Sequence, residues 1–128
     1  MRKNANTCAF AGTIDGNCSE LLSITCSPDA ETPRIEKLET RFRDHLKHLT
    51  KDFQTKHGYT RDEPGKANMT LACNSVGQKF DCLSLTLEMP FKDNNDAPNA
   101  LTGWSGKRSK QLGKDVLTTV AEMVAVLR

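Results

Sequence analysis

The feature that most constrains this chain is a mismatch: it carries more apolar helix face than sheet to cover it. One strand is plain. Leu83, Leu85 and Leu87 alternate with Ser84 and Thr86, the period-two pattern of a β-strand. Met89-Pro90 ends it, because proline cannot continue a central ladder. Two helices are equally plain. Thr32 suits an N-cap and Pro33 a first helical position. Ile35, Leu38, Phe42, Leu46 and Leu49 then form one apolar stripe, with Glu36, Arg43, Asp44 and Lys47 opposite. Ser105 is a suitable N-cap for a last helix running to the chain's end, whose wide apolar face is Leu112, Val116, Leu117, Val120, Met123, Val124 and Leu127. One strand cannot cover two such faces. The chain is therefore expected to associate with another chain or to form part of a larger domain.

The remaining stretches are weaker. Residues 1–31 are irregular, with a short apolar patch at Leu21-Leu22-Ser23-Ile24 that suits a strand fragment among loops. Residues 50–67 form a long loop punctuated by Gly58, Pro64 and Gly65. Met69–Cys73 suits a short extended piece, and Asn74 a cap for a helical turn through Phe80. Residues 91–104 return to polar loop. No internal repeat or low-complexity tract is visible.

Composition narrows the function classes. The 128 residues suffice for one small domain, and 37% hydrophobic with 27% charged residues is ordinary for a globular chain. Eighteen Lys and Arg against sixteen Asp and Glu leave a net charge of +2, too little to imply a nucleic-acid partner, and no aromatic sits in a basic run. Five cysteines, with no CxxC pair, argue for reduced thiols in a cytoplasm over a disulfide framework. Cys8, Cys18 and Cys26 could still meet as metal ligands, although buried or idle thiols are the commoner outcome. The basic start lacks an apolar region after it, and no run approaches membrane-spanning length. The expectation is a soluble, cytoplasmic protein with no membrane partner.

Glu88 is the most suggestive single residue. It follows the apolar strand directly, and in open α/β sheets ligands bind beyond the carboxyl ends of strands. A carboxylate in a partly dry cleft there can serve as a general base. On pattern alone, a solvent-facing glutamate at a strand end is the commoner outcome. Tyr59 suits either a cleft wall or a surface turn. His45 and His48, three apart on the first helix, have a spacing that can bind metal, but packing or surface roles are commoner. Asn68 and Asn74 suit turns or caps, and Phe91 and Trp104 suit packing of the long loop. Lys107, Lys110 and Lys114 share one face of the last helix with Arg108 nearby, a pattern usually explained as a solvated face.

The stretch Leu85-Thr-Leu-Glu-Met-Pro-Phe-Lys-Asp-Asn94 resembles the catalytic-glutamate segment of the M14 zinc carboxypeptidase family, and most of all its bacterial members related to cytosolic carboxypeptidases. The similarity extends back through Asp52-Phe-Gln-Thr-Lys-His-Gly-Tyr59 and Pro64-Gly-Lys-Ala-Asn-Met-Thr-Leu-Ala72. It continues forward through Gly103-Trp-Ser105 and Arg108-Ser-Lys-Gln-Leu-Gly113. The resemblance implies a glutamate, matched by Glu88, that activates a zinc-bound water for attack on a C-terminal peptide bond. It also implies a zinc held by His-x-x-Glu and a later histidine, and an arginine gripping the substrate carboxylate. This sequence contains no His-x-x-Glu, and His57 does not match a ligand segment.

The expected fold is α/β: the C-terminal portion of a doubly wound zinc-carboxypeptidase-like sheet with flanking helices. Residues 1–31 form an irregular start and 32–128 the family-like region. The expected function is that of the closing part of a zinc-dependent metallocarboxypeptidase acting on a peptide or protein C-terminus. It carries catalytic Glu88 and a substrate-binding Tyr59, with the zinc ligands missing and the chain inactive alone. The missing N-terminal half or self-association would cover its helices. Two other readings stay open: a non-catalytic remnant that binds peptides or a partner chain, and an unrelated metal-binding module built on Cys8, Cys18 and Cys26.

Overall fold

A computed structural model describes residues 9–11, 23–25, 33–56, 65–90 and 92–127. Among these residues, three strands and three helices follow in the order β1 (Ala9–Ala11), β2 (Ser23–Thr25), α1 (Pro33–Leu49), α2 (Ala72–Phe80), β3 (Ser84–Glu88) and α3 (Gly106–Met123). The strands form a mixed sheet in the order β1-β3-β2. β1 runs parallel to β3, with Ala9 opposite Ser84 and Ala11 opposite Thr86. β2 runs antiparallel to β3, with Ser23 opposite Glu88 and Thr25 opposite Thr86.

The strand read from leucine alternation is thus the central one. It is buried on both faces: Leu83 and Leu85 are closed off, and so are Ser84, Thr86 and Glu88. Its neighbours are too short to show a two-residue period. The patch at residues 21–24 does contain a strand, at Ser23–Thr25.

Helix α1 begins at Pro33, where the sequence places it. Glu36 in its first turn and Lys47 and His48 in its last complement the helix dipole. Ile35, Leu38, Phe42 and Leu46 are buried as the stripe requires, whereas Leu49 at the last turn is 43% exposed. Leu38, Phe42 and Leu46 join Phe53, Cys73 of α2, Leu83 just before β3, Leu85 of β3, and Leu112 and Met123 of α3 in one apolar cluster. Helices α1 and α3 pack on each other, and α2 packs on β3 and β1.

Several expectations need correction. Met69–Cys73 is not extended: residues 69–70 form a turn and α2 starts at Ala72. Asn68 drives that turn, its side-chain oxygen accepting from the Thr70 N–H at 3.0 Å and from the Thr70 hydroxyl at 2.7 Å. Asn74 is not a cap but a buried residue inside α2, and its Nδ2 donates to the Asn68 carbonyl at 3.1 Å. The last helix stops at Met123 rather than at the chain's end, and residues 124–126 form a turn. Leu117 and Val124, expected on the buried face, are 69% and 54% exposed.

Arg34 closes this part of the fold. Its guanidinium donates to the Asp81 carbonyl at 2.7 Å and to the Leu127 carbonyl at 3.3 Å, tying the start of α1 to the end of α2 and to the residues after α3. Asp81 itself adopts a left-handed conformation at the C-cap of α2, a geometry that aspartate tolerates better than most residues.

Candidate active site

Glu88 closes β3 and is 6% exposed, so the solvent-facing position that its pattern alone favours is not the one it takes. Its backbone is held by the β2 partner Ser23, and it is engaged within the fold rather than left free. Among the described residues β1 pairs with Ser84 through Thr86, and Glu88 follows two residues on, at the carboxyl end of the central strand. Met89 then packs against the core cluster and Pro90 is buried. This is the position at which open α/β sheets place ligand-facing groups.

The segment that leaves Glu88 is fixed by a polar network centred on Arg108. The Arg108 guanidinium donates from Nε to Asp52 Oδ2 at 3.0 Å and from Nη2 to Asp52 Oδ1 at 2.5 Å. Its Nη1 donates to Asp93 Oδ1 at 3.0 Å and its Nη2 to the Ala97 carbonyl at 2.5 Å. The Trp104 ring lies 4.9 Å from the guanidinium carbon, a stacked cation–π arrangement. Paired charge-assisted bonds of this kind are stronger and more directional than neutral ones. The hydrogen bonds to Asp52, working against partial desolvation, hold the Arg108 guanidinium above its ordinary value. Partial burial pushes the Asp93 carboxyl up, but the N–H groups of Asn99 and Asn94 and the Arg108 guanidinium outweigh it, and its pKa lies below the usual 3.8.

Loop residues complete the network. Asp93 accepts from the N–H of Asn94 at 2.8 Å and of Asn99 at 2.7 Å. Asn94 Nδ2 donates to the Asp52 carbonyl at 3.0 Å. The neck of the loop closes where the Trp104 N–H donates to the Lys92 carbonyl at 2.7 Å. Gly103, beside that bond, has φ +57°, and an added Cβ would collide with the Lys92 carbonyl oxygen. Ser105 caps α3 as expected, accepting from the Arg108 N–H at 3.3 Å.

Not all of the residues singled out in the sequence meet here. Lys107, Lys110 and Lys114 are exposed as a solvated face would be, but Arg108 is part of no such face. His45 Nδ1 lies 2.7 Å from Glu122 Oε2, linking α1 to α3, and His48 is exposed. Tyr59, His57, Phe91, Cys8, Cys18 and Cys26 lie outside the described residues. Cys73 and Cys82 are buried, and their thiols donate to Asn74 Oδ1 and to the Val76 carbonyl. An open hollow of about 430 Å³ on α1 is lined by Glu36, Lys37, Thr40, Arg41, Asp44 and His45, and includes neither Glu88 nor Arg108.

Among the described residues, no three of the types His, Cys, Asp and Glu are grouped to hold a metal ion, so these residues do not by themselves fit a zinc site. Sequence reasoning missed a buried carboxylate, Glu39, 2% exposed, with Arg43 Nη2 at 2.6 Å from its Oε1. A signal was present: Glu39 lies four residues after Ile35, on the apolar stripe, and four before Arg43.

Comparison with known proteins fits this geometry. The chain matches a metallo-carboxypeptidase from Pseudomonas aeruginosa, solved in complex with (2-guanidinoethylmercapto)succinic acid, with a TM-score of 0.82 and 48% identity. That match covers 93% of this chain and 32% of the other. The chain is carboxypeptidase-like. A candidate carboxypeptidase A from Shewanella denitrificans matches this carboxypeptidase-like chain with a TM-score of 0.81 and 36% identity, covering 91% of it and 31% of the other. An uncharacterised protein of Zymomonas mobilis is 48% identical over 97 residues, covering 76% of this chain and 25% of that protein. No family model matches. The carboxypeptidase-like chain thus spans about a third of the solved structures it matches, and a quarter of the curated relative. No helix among the described residues is long and apolar enough to cross a membrane.

Proposed function

We propose that residues 1–128 are the closing part of a larger doubly wound, zinc-dependent metallocarboxypeptidase domain, and that Glu88 is the carboxylate that moves the proton in hydrolysis of a C-terminal peptide bond. The observation that carries the proposal is the placement of Glu88: a buried carboxylate at the carboxyl end of the central strand, followed by an anchored segment, in a chain 48% identical to a metallo-carboxypeptidase. A general base must be held where it can accept a proton from the attacking water and return it to the leaving amine. A strand end supplies that rigidity, and burial keeps bulk water from competing for the carboxylate.

The family likeness implies zinc in a complete domain. The described residues here supply no site for it, so the ligands would come from elsewhere in such a domain, and the chain alone is inactive in this proposal. Tyr59, in the stretch 52–59 that shares the family resemblance, is proposed to line the substrate cleft. The outward-facing Leu117, Val124 and Leu71 are the surfaces the rest of the domain would cover. Those exposed side chains favour the closing-part reading over a free-standing binding remnant.

The test is a chimera in which this chain replaces the matched third of the Pseudomonas metallo-carboxypeptidase. The chimera is expected to bind metal and hydrolyse C-terminal peptide bonds. Glu88→Gln in it should lower kcat by a factor on the order of 100 or more while metal content stays unchanged. Substantial turnover by Glu88→Gln would remove Glu88 from the mechanism.

A further inference from the structure

Three stretches far apart in the sequence meet at one guanidinium. Asp52 comes from the turn after α1, Asp93 from the segment after β3, and Arg108 from the first turns of α3. Helix α3 is already anchored without Arg108. Leu112 and Met123 are buried in the core cluster, and Glu122 reaches His45 of α1. The guanidinium instead reaches away from the helix, to two carboxylates and a carbonyl on neighbouring segments, while 16% exposed.

What it holds is the path of the chain just after Glu88. Asp93 binds Arg108 and also accepts from Asn94 and Asn99. Asn94 is tied to Asp52, which binds Arg108 in turn, and Ala97 offers its carbonyl to the same guanidinium. Pro90 and Met89, between Glu88 and these anchors, are packed into the protein, so displacement of the anchored segment is transmitted to the strand end.

We infer that Arg108 is a positioning residue for Glu88, acting through Asp93 and Asp52 on the segment that leaves β3. The inference takes Glu88 as the reacting carboxylate from the proposed function and concerns how that carboxylate is held. Lysine cannot replace this arginine, because a point charge on a flexible stem cannot engage two carboxylates and a carbonyl in one plane.

The experiment reads the Glu88 carboxyl group directly by NMR on the full chain with isotope-labelled glutamate, its resonance assigned through Glu88→Gln. Arg108→Lys and Asp93→Asn are each expected to move the titration midpoint of that resonance by about half a pH unit or more from the unsubstituted chain. Met123→Ala, a cavity at the far end of α3, should lower stability and leave the Glu88 resonance in place. Unchanged Glu88 titration in both Arg108→Lys and Asp93→Asn overturns the inference, and so does an equal shift in Met123→Ala, which would mark a general loosening. Should Arg108→Lys fail to fold, Asp93→Asn decides, since it keeps the Arg108–Asp52 fork. These outcomes do not depend on turnover, so an active Glu88→Gln chimera would refute the catalytic assignment and leave this result standing.

Discussion

Gly103 offers the sharpest test of the loop geometry. Its φ of +57° lies in the left-handed region, and a Cβ there would meet the Lys92 carbonyl oxygen. That oxygen is backbone and already accepts from the Trp104 N–H at 2.7 Å, so it cannot swing aside as a side chain would. In Gly103→Ala the left-handed conformation alone costs about 1–2 kcal/mol. Displacing the carbonyl weakens the Trp104 bond, for about 1 kcal/mol more. The expected destabilisation is therefore about 2–3 kcal/mol, lowering the urea midpoint by roughly 1–2 M with an unchanged slope. Gly113, in α3 with open space around its Cβ position, is the internal control. Gly113→Ala should stabilise the chain by about 0.5–1 kcal/mol, because alanine is the better helix former. A Gly103→Ala variant as stable as the parent would refute both the left-handed turn and the closed neck of the loop.

Two further outcomes follow from the core and the network. Leu46 is fully buried in the α1 stripe, and Leu46→Ala should cost about 2–5 kcal/mol in urea unfolding, more than any substitution at exposed Leu101. Asp93 has a folded pKa below its ordinary value, so its contribution to stability is present above the unfolded pKa and is lost as pH falls through the folded one. Urea midpoints measured from neutral pH down through the acid range should therefore fall less steeply below about pH 4 in Asp93→Asn than in the parent; parallel curves would show that the network does not act on Asp93.

Much of the fold is written in local periodicity. The α1 stripe, the Ser105 cap and the β3 alternation each depend on residues a few positions apart, and each appears where the sequence places it. The burial of Glu88 is different. Its immediate neighbours suit a solvent-facing strand end equally well, and its burial comes from the tertiary packing around the end of β3, which local sequence does not encode. The roles of Arg108 and Asn74 were equally hidden, because their partners are distant loops that no helical period can reveal. Arg108 lies near three lysines in sequence, and sequence alone cannot separate a residue facing water from one turned back onto two aspartates. Leu117 and Val124 show the opposite limit: apolar spacing marks a face for covering, not the element that covers it.

The order of the sheet has a consequence for how the chain reaches this state. β3 is the strand that joins the other two, yet it comes last along the sequence, after both α1 and α2. Among the described residues β1 and β2 share no ladder with each other, and β3 links them. The backbone hydrogen bonds within α1 are local, whereas pairing β3 with β1 and β2 closes long loops. Pairing at such separation carries its closure entropy before any contact repays it. The ladder that holds the Glu88 backbone against Ser23 is thus built from contacts of long sequence separation, the kind that slows folding.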